Sequence, residues 1–429
     1  MPEKSSNLQE FYKKTLEERL AVLKDFAQLS DQELQQLKQY SALDFETSNR
    51  MIENVFSTLA LPLGIATNFI VNGKEVLVPM AIEEPSVIAA ASNAAKLSRS
   101  SGGFKAKASE PLMIGQIMLS GVKDLGKASE KILAEKEKLI SLANSKDQVL
   151  VKLTGGAKDI QARKLENGML VLHLLVNCGD AMGANAVNTM AEAIAPELER
   201  ITGGIARAKI ISNLAIHRTV KAECVWSKKD LEESTKGLVK GDEVVKAMLE
   251  MSDFAALDPF RAATHNKGIM NGIDAVVIAV GNDWRAIEAG AHSFAAYNRE
   301  HYTSLTKYSK TPQGDLKGEI ELPMALGLIG GAVKTHPIAK ICLKILGVKT
   351  ASELAEIAAC AGMATNFASM RAIATEGIQK GHMKLHARNV AVNAGAAGDL
   401  IGKIAERMVE EKQVSAQRAQ ELLKEYQKG

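Results

Sequence analysis

Residues 111–216 contain a succession of strand-like and helix-like segments in one continuous block. The apolar runs MIGQIML, QVLVKL and GMLVLHLLVN alternate with the helical patterns KASEKILAEKEKLISLAN and AVNTMAEAIAPELERI. This β-α-β-β-α-β order predicts a small α/β sandwich inserted into a larger domain. One domain must then be discontinuous in sequence, and 429 residues leave room for two or three domains.

Local signals before this block predict helices and one hairpin. Capping-box spacings begin at Thr15 and Ser30, each ahead of an apolar helical stripe. The Asn72-Gly73 pair predicts a tight turn between two short β-type runs. Pro85 suits the first turn of the helix that follows it.

The sequence after the block predicts one further strand and several helices. The apolar run DAVVIAVGN, residues 274–282, is of strand length, and a helical pattern starts at Trp284. Alanine-rich helices are expected over residues 351–379. The last segment ends in an amphipathic helix, and its glycines suggest a tail that moves as a unit.

Composition excludes several classes of protein. Hydrophobic residues make up 46% and charged residues 24%, and the net charge of +3 arises from 53 basic and 50 acidic residues. No basic excess indicates a nucleic-acid or membrane surface. No window reaches the roughly 18 continuous apolar residues of a spanning helix, the N-terminus lacks the apolar core of a signal peptide, and the four cysteines are dispersed. We therefore expect a cytoplasmic protein with free thiols.

Three familiar binding motifs are absent or incomplete. No GxGxxG occurs, so a Rossmann phosphate loop is not expected. The segment from Gly121 to Lys127 imitates a P-loop, but Ala128 stands where a hydroxyl must hold magnesium, which favours a simple turn. His382 and His386 have zinc-pair spacing, but Met383 replaces the glutamate that HExxH requires, so we expect no metal site.

Six short polar motifs interrupt otherwise apolar segments. They are IENV (52–55), EEPS (83–86), DAMGAN (180–185), RAATHNKGIMNGI (261–273), GNDWRA (281–286) and GHMKLHARN (381–389). Each has a simpler structural interpretation: Glu84 and Asp283 could cap helices, and Lys267 could be a solvated loop residue. Together they place acidic, basic and imidazole side chains at the ends of elements, where active sites concentrate.

The set of motifs closely resembles that of the 3-hydroxy-3-methylglutaryl-coenzyme A (HMG-CoA) reductases, specifically the class II form without a membrane anchor. The resemblance implies a multidomain α+β or α/β fold with a large, mostly helical acyl-CoA-binding domain (1–110 and 217–376). It also implies a small ferredoxin-like, non-Rossmann dinucleotide-binding domain (111–216) and a mobile C-terminal helical flap (377–429). A homodimer with active sites shared between subunits is implied as well, with higher oligomers left open.

The resemblance also assigns roles to individual residues. The four catalytic positions fall on Glu84, Lys267, Asp283 and His382, with His386 a weaker second candidate for the histidine. Positions that bind the hydroxymethylglutaryl group fall on Ser86, Arg261, Asn271 and Asn366. Positions that bind the cofactor fall on Asp147, Asp180, Met182, Gly183, Asn185 and Asn188.

These residue types suit the reduction of a thioester to an alcohol. A fixed cation stabilises the oxyanion that forms first, which is the role expected of Lys267. A histidine can protonate a departing thiolate near neutral pH. Glu84 can give a proton to the intermediate mevaldehyde only if it is kept protonated, which burial favours and a nearby lysine opposes. Asp283 is expected to orient Lys267, and Arg261 offers a fork for the substrate's carboxylate.

The expected cofactor is NADH, with NADPH as the alternative. In the family, an aspartate at the position of Asp147 lies by the adenosine ribose, and its carboxylate would repel a 2′-phosphate. A turn or helix-end aspartate is the simpler interpretation, and Lys146 and Lys152 could attract a phosphate. The choice between the two cofactors stays open at this point.

Two functions from other classes compete with the reductase. An acyl transferase would need a cysteine nucleophile, and Cys178 is the one cysteine beside a polar motif. A non-catalytic helical interaction protein would use the terminal helices and residues 351–379, but it leaves the motifs at 261–286 unexplained. The direction of the reaction cannot be inferred from the residues.

Overall fold

The computed structural model describes residues 4–40, 43–375 and 387–428. Its strands are β1 (Leu63–Val71), β2 (Lys74–Ala81), β3 (Phe104–Ala108), β4 (Leu112–Ser120), β5 (Ala157–Lys164), β6 (Leu170–Asn177), β7 (Ile205–Ser212), β8 (Thr219–Trp226), β9 (Thr306–Lys310) and β10 (Leu316–Pro323).

The helices up to the middle of the chain are α1 (Leu16–Ala27), α2 (Asp31–Lys38), α3 (Phe45–Met51), α4 (Val87–Ser98), α5 (Leu125–Ala134), α6 (Lys136–Asn144), α7 (Gln148–Thr154), α8 (Ala184–Thr202) and α9 (Lys228–Ser234). Those that follow are α10 (Gly241–Leu257), α11 (Pro259–Ala279), α12 (Trp284–Ala296), α13 (Gly331–Thr335), α14 (Pro337–Leu346), α15 (Ala351–Thr375), α16 (387–393), α17 (Asp399–Glu410) and α18 (Ala416–Lys428). The fold is therefore mixed α/β, as the sequence predicted in its coarse outline.

The larger sheet has six strands in the order β2-β1-β3-β8-β10-β9. Its pairs are antiparallel except for the short parallel contact between β1 and β3. The predicted hairpin turn is confirmed: Asn72 and Gly73 join β1 to β2 with φ angles of +50° and +76°, as a two-residue hairpin loop with positive φ at both positions requires. Helices α4, α11 and α15 pack against this sheet and against one another.

The smaller sheet has four antiparallel strands in the order β5-β6-β4-β7. Helices α5, α6 and α8 pack against it, and the chain passes through these elements in β-α-β-β-α-β order. Its hydrophobic cluster is drawn from residues between Met113 and Ala215, with Ala325 added from outside. The predicted domain limits of 111 and 216 bracket this sheet.

Two predictions of secondary structure were wrong. Residues 274–282 were expected to form a strand, but most of them lie in the second half of the 21-residue helix α11. The segment QVLVKL was also expected to be a strand and is helix α7. The strand that precedes β6 in sequence and pairs with it is β5. A short apolar run looks the same in a buried helix and in a strand, and in the second half of α11 every side chain is buried or half-buried.

The main core lies between the six-stranded sheet and α11 and α15. Trp226 of β8 stacks on Phe367 of α15 with ring centroids 3.9 Å apart, and Phe104 contacts Trp226 edge-on at 6.2 Å. Its indole nitrogen donates to the carbonyl of Ala94 in α4 at 3.0 Å. These contacts tie α15 and α4 to the sheet. Helix α11 packs on both helices and on β2 in the same core, which makes it a rigid support for the side chains it carries.

The terminal segments form smaller clusters. The capping boxes predicted at Thr15 and Ser30 are present at the starts of α1 and α2, and these helices pack on α14. Helices α16–α18 have a cluster of their own that includes Ile404, Met408 and Leu422. Within the described ranges, no helix combines the length and apolar character needed to cross a bilayer.

Candidate active site

A lysine, a glutamate and an asparagine from distant parts of the chain meet at the surface of α11. Lys267 Nζ donates to Glu84 Oε2 at 2.7 Å, and Asn271 Nδ2 reaches the same oxygen at 3.4 Å. Lys267 and Asn271 are one helical turn apart and so lie on one face of the helix. The side chains of Lys267 and Glu84 are 59% and 34% exposed, so a ligand has access to both. This contact brings together three of the predicted site residues.

Glu84 is carried by a short strained turn between β2 and α4. Ser86, at the N-cap of α4, has φ +78°, a left-handed conformation that is rare for residues other than glycine. The Ser86 side chain makes no capping bond. The simpler interpretation of Glu84 as a helix cap is therefore not what the structure shows, since its carboxylate is committed to Lys267.

Arg261 lies in the first turn of α11, six residues before Lys267. Its backbone N–H is capped by Asp258 Oδ1 at 2.7 Å, while its guanidinium contacts the sulfur of Met370 at 3.7 Å. Among the described residues no carboxylate is paired with this guanidinium, and partial burial lowers its pKa. A half-buried guanidinium without an acidic partner is a ready receptor for a carboxylate ligand.

The backbone around Lys267 is fixed by the two residues before it. His265 Nε2 lies 2.5 Å from Thr306 Oγ1, and burial lowers the pKa of His265 to about 3, so its ring is neutral. Asn266 Oδ1 accepts from the Leu305 N–H at 3.0 Å. Asn366, expected to bind substrate, is 1% exposed, and its Oδ1 accepts from Tyr308 at 2.9 Å. Its position favours a role in holding this network over contact with a ligand.

Asp283 does not reach Lys267 or Glu84 among the described residues. It is the N-cap of α12, where its Oδ1 accepts from the Ala286 N–H at 3.1 Å and lies 3.4 Å from Arg285. The helix-cap interpretation is thus correct for Asp283, whatever else it does. The catalytic and weaker candidates His382 and His386 lie outside the described residues.

The predicted cofactor residues gather where β6 runs into α8. Asp180 Oδ1 accepts from the backbone of Ala351 at 2.7 Å, which ties this loop to the start of α15. Gly183 caps α8 with φ +106° and no side-chain bond. A Cβ at this position would lie 2.3 Å from Cys178 Sγ, so glycine is required here. The uncapped N–H groups of a 19-residue helix favour an anion such as a pyrophosphate.

The remaining predicted cofactor residues have mixed positions. Asn185 is exposed in the first turn of α8, and Met182 is half-buried just before it. Asn188 Oδ1 accepts from the Ile211 N–H of β7 at 2.8 Å, so it braces the helix against the sheet. Asp147 caps α7 by accepting from the Leu150 N–H at 2.8 Å, which leaves its second oxygen for a ligand.

Arg218 was missed by the sequence analysis. Its guanidinium is buried and donates to the carbonyls of Ala181 and Met182 at 2.9 and 3.1 Å, and to that of Leu326 at 2.5 Å. Burial lowers its pKa, opposed by the charge of Asp180. Because its partners are backbone carbonyls, Arg218 belongs to no recognisable sequence motif. The one hint in the sequence was its position at the end of the inserted block.

Cys178, the candidate nucleophile of the acyl-transferase alternative, is buried beside this loop. Burial raises the pKa of its thiol to about 11, so the thiol is not ionised at neutral pH. The Cys178 thiol is therefore a poor nucleophile at neutral pH. In residues 4–40, 43–375 and 387–428, no group of three or more histidine, cysteine or acidic side chains could hold a metal ion.

Comparison with known proteins identifies the family. The model of the hydroxymethylglutaryl-coenzyme A reductases matches residues 15–387. A 3-hydroxy-3-methylglutaryl-coenzyme A reductase of Archaeoglobus fulgidus is 52% identical over 422 residues, which are 98% of this chain and 94% of that protein. A probable reductase of Borreliella burgdorferi is 36% identical over 84% of this chain and 83% of that protein.

The solved structures agree. A class II 3-hydroxy-3-methylglutaryl-CoA reductase from Streptococcus pneumoniae, bound to NADPH in open conformations, superimposes with a TM-score of 0.80 at 39% identity, covering 96% of this chain and 100% of that one. Fold and site together define an NAD(P)H-dependent oxidoreductase. More particularly, the chain belongs to the hydroxymethylglutaryl-coenzyme A reductase family.

Proposed function

We propose that the cluster of Glu84, Lys267 and Asn271 is the catalytic centre at which this reductase interconverts HMG-CoA with mevalonate and coenzyme A. The observation that carries the proposal is the 2.7 Å contact between Lys267 Nζ and Glu84 Oε2, across 183 positions of sequence. It joins a fixed cation to an acid at an accessible surface of a rigid helix. Reduction to the alcohol consumes two hydrides and two protons per thioester, and the residues must manage the charge and the protons.

Lys267 acts on the oxygen of the reacting carbonyl. When the thioester is reduced, this oxygen becomes an alkoxide, and the ammonium group stabilises the negative charge as it develops. Arg261, six residues earlier on the same helix, binds the carboxylate at the other end of the hydroxymethylglutaryl group. Asn271 and the strained turn at Ser86 flank Glu84 and complete the substrate side.

Glu84 supplies the proton for the second reduction. The contact with Lys267 is present and the burial of Glu84 is partial. Because Lys267 donates a hydrogen bond to the Glu84 carboxyl group, the two side chains are placed to relay a proton to the aldehyde oxygen. Enclosure of the site during the reaction excludes water and strengthens this coupling.

His382 protonates the departing coenzyme A thiolate, because imidazole is the side chain whose ordinary pKa suits that task. This role rests on the family motif, since His382 lies outside the described residues. His382→Gln should reduce free mevaldehyde at a rate close to that of the wild type, but should lose thioester reduction. An equal loss of both reactions would contradict the assigned role.

The nicotinamide cofactor, when bound, supplies the hydrides. The loop at Asp180 and the N-terminus of α8 fit a dinucleotide, because the first N–H groups of α8 have no side-chain cap and can donate to a diphosphate. We favour NADH, since the carboxylate of Asp147 would repel a 2′-phosphate. Measuring kcat/KM of the wild type with NADH and with NADPH tests this choice. In Asp147→Asn, the ratio of kcat/KM with NADH to kcat/KM with NADPH should be smaller than in the wild type. A clear preference of the wild type for NADPH would overturn it.

The working unit is proposed to be a homodimer with shared sites. Several large apolar side chains are exposed near the motifs, among them Phe56 at 97% and Phe260 at 87% exposure. Such groups mark an interaction surface. Asp283 also stands apart from Lys267 within one chain. We place the enzyme in the cytoplasm, in keeping with its four buried free thiols.

The reaction is tested by the absorbance of reduced nicotinamide with HMG-CoA, and in reverse with mevalonate and coenzyme A. The wild type should show both activities, and Lys267→Ala should lower kcat by about 100-fold or more. Lys246→Ala, at an exposed position of α10, is the matched control and should have the kcat of the wild type. Undiminished turnover by Lys267→Ala would remove Lys267 from the centre.

The shared site is tested by mixing two inactive variants, Lys267→Ala and Asp283→Ala, under conditions that allow subunits to exchange. If these two residues act from different subunits, each mixed dimer regains one intact site, and random mixing restores about a quarter of wild-type activity. If they act from the same chain, or if the protein is a monomer, mixing restores nothing.

A further inference from the structure

Beneath the Lys267 face of α11 runs a continuous chain of polar side chains that the proposed reaction does not use. We call it the acid–tyrosine chain; its members, in order of contact, are Asp274, Glu288, His292, Tyr302 and Asn266. It begins on α11, crosses to α12, passes to the segment before β9 and returns to α11 next to Lys267.

The chain starts with two carboxyl groups in contact. The Asp274 carboxyl is hydrogen-bonded to that of Glu288, and Asp274 Oδ1 is buried without a donor from the described residues. Two carboxyl oxygens in contact need a proton between them, because two carboxylates at this distance repel strongly. The pair therefore holds one shared proton.

The remaining contacts have one consistent direction. His292 Nε2 lies 2.6 Å from Glu288 Oε2, so the imidazole donates there. Its Nδ1, 2.7 Å from the Tyr302 hydroxyl, is then free to accept the phenolic proton. The Tyr302 oxygen in turn accepts from Asn266 Nδ2 at 2.8 Å. Every donor in this arrangement has an acceptor.

The last member of the chain holds the catalytic lysine. Asn266 is fully buried, and its amide also donates to the Thr303 carbonyl at 2.9 Å. Because Asn266 directly precedes Lys267, its anchoring fixes the backbone that carries the ammonium group. The first member, Asp274, lies seven residues after Lys267 and so on the same side of the helix.

We propose that the acid–tyrosine chain is a set of positioning residues that holds Lys267 against Glu84, and that its shared carboxyl proton limits the alkaline range of the enzyme. This inference rests on the proposed function, since it concerns the placement of Lys267. Loss of the proton leaves two carboxylates in contact, and their repulsion pushes α11 away from α12 and breaks the chain.

The charges around the pair come from within the chain itself. Among the described residues, the ionisable group that acts on Asp274 is Glu288 of α12, and those that act on Glu288 are His292 and Asp274. Tyr302 faces them from the segment before β9. The other elements packed on α11, which are β2, α4, α10, α14 and α15, share its apolar core, and none of their described ionisable groups is among those that act on the pair.

Burial and the neighbouring carboxylate raise the pKa of Asp274 to about 8, and the contact with His292 lowers that of Glu288. The proton therefore resides on Asp274 at neutral pH. It leaves as the pH rises above 8, which places the expected loss of activity in an accessible range.

The test compares kcat at pH 9 with kcat at pH 7 in the full-length enzyme. The wild type should lose most of its turnover, about tenfold, over this interval. Asp274→Asn, whose amide keeps the hydrogen bond without a titrating proton, should hold its ratio near one. Asp253→Asn, an exposed aspartate of α10, is the matched control and should follow the wild type.

Tyr302→Phe gives an independent reading because it cuts the chain without changing either carboxyl group. Its kcat at pH 7 should fall several-fold with little change in KM. Its ratio of kcat at pH 9 to kcat at pH 7 should lie near one, and adding Asp274→Asn should not change that ratio further. A decline in Asp274→Asn parallel to that of the wild type would overturn the proposal. If Asp274→Asn does not fold, a Tyr302→Phe ratio equal to the wild-type ratio would overturn it.

A spectroscopic measurement separates this inference from the proposed function. The ¹⁵N signals of the His292 ring, assigned with His292→Gln, should shift near pH 8 in the wild type and stay constant in Asp274→Asn. An inactive protein with this shift would contradict the reductase centre and leave the chain intact. An active protein whose His292 signals do not shift would contradict the role of the acid–tyrosine chain and leave the reductase centre unaffected.

Discussion

The substrate side and the cofactor side of this protein are built in different ways. On the substrate side, charged side chains project from one rigid helix: Arg261 and Lys267 stand on α11, and Glu84 meets them from a strained turn. On the proposed cofactor side, the backbone carries the features that we expect to bind. Gly183 opens the N-terminus of α8, and the buried Arg218 holds the carbonyls of the loop before it.

The difference follows from the two ligands. The hydroxymethylglutaryl group carries a carboxylate and a carbonyl that becomes charged, so it needs cations at two fixed points. A dinucleotide presents a diphosphate that helix N–H groups can bind, so it needs backbone held in one shape. Mutations on the two sides should therefore change different kinetic constants.

The largest effect is expected on the substrate side. Arg261→Leu removes the fork for the substrate's carboxylate and should lower kcat/KM for HMG-CoA by about 100-fold, equivalent to about 2.7 kcal/mol. The KM for the cofactor should stay within about twofold of the wild type. Arg261→Lys keeps the positive charge but cannot make two parallel hydrogen bonds to a carboxylate. Its kcat/KM for HMG-CoA should therefore lie between those of the wild type and Arg261→Leu. If Arg261→Leu changed the KM for HMG-CoA and the KM for the cofactor equally, the proposed difference between the substrate side and the cofactor side would be wrong.

A methyl group at Gly183 should produce the next largest effect, on the cofactor side. The new Cβ would lie 2.3 Å from Cys178 Sγ and force φ +106° on alanine, so the loop must shift. We expect the KM for the cofactor to rise about 30-fold, measured by initial rates at saturating HMG-CoA.

Two variants control this prediction. Cys178→Ala in the same polypeptide removes the nearest atom, Sγ, but keeps the Cβ that would lie 2.9 Å from the new methyl group, so it should restore only part of the affinity. Gly203→Ala, at the other end of α8 with φ +69° and no atom within 4 Å of the new Cβ, should leave the cofactor KM unchanged. An equal rise in the cofactor KM for Gly203→Ala would mean that the contact at Gly183 is not the cause.

Replacing Arg218 should have a smaller kinetic effect and a clear effect on stability. Arg218→Lys cannot reach all the carbonyls that the guanidinium spans, so buried acceptors lose their donor at about 1–3 kcal/mol. We expect a lower melting temperature and a roughly tenfold higher cofactor KM, with the KM for HMG-CoA little changed. Arg207→Lys, on the exposed surface of β7, should change neither. A selective rise in the KM for HMG-CoA would contradict this assignment.

The smallest effect concerns pH and the helix of the substrate side. Burial raises the pKa of Asp274 in the folded protein above its ordinary value of 3.8. The protonated carboxyl group therefore contributes stability that is fully present below the ordinary pKa and is lost as the pH rises to the raised pKa, with no further loss above it. Urea unfolding of the wild type between pH 5 and 8 should show a stability that declines with pH. Asp274→Asn should be less sensitive to pH, and equal slopes would contradict the assignment.

Local features of the fold were predictable from the sequence because the interactions that stabilise them are local. The capping boxes at Thr15 and Ser30 and the hairpin turn at Asn72 each depend on a few neighbouring residues. The two wrong strands, α7 and the second half of α11, were apolar runs whose state is decided by what packs around them.

In the candidate site, too, the features that depend on residue type were predictable and those that depend on distant contacts were not. The motifs named Glu84, Lys267 and Arg261 as chemically significant, because charged residues at element ends are visible in sequence. Asn366 also appeared in a motif, yet its buried amide bonds within the core. Arg218 and the acid–tyrosine chain could not be found, since their partners are backbone carbonyls or residues on other elements.

The sequence by itself thus determined the family, the residue types of the candidate site and the order of elements in the inserted block, because these depend on residue types and short spacings. The tertiary structure alone decided which of these residues meet. The contact between Lys267 and Glu84, the isolation of Arg261 from any described carboxylate and the proton shared by Asp274 and Glu288 all depend on distances across the fold. Such distances are set by packing of distant segments in one core, which no local pattern records.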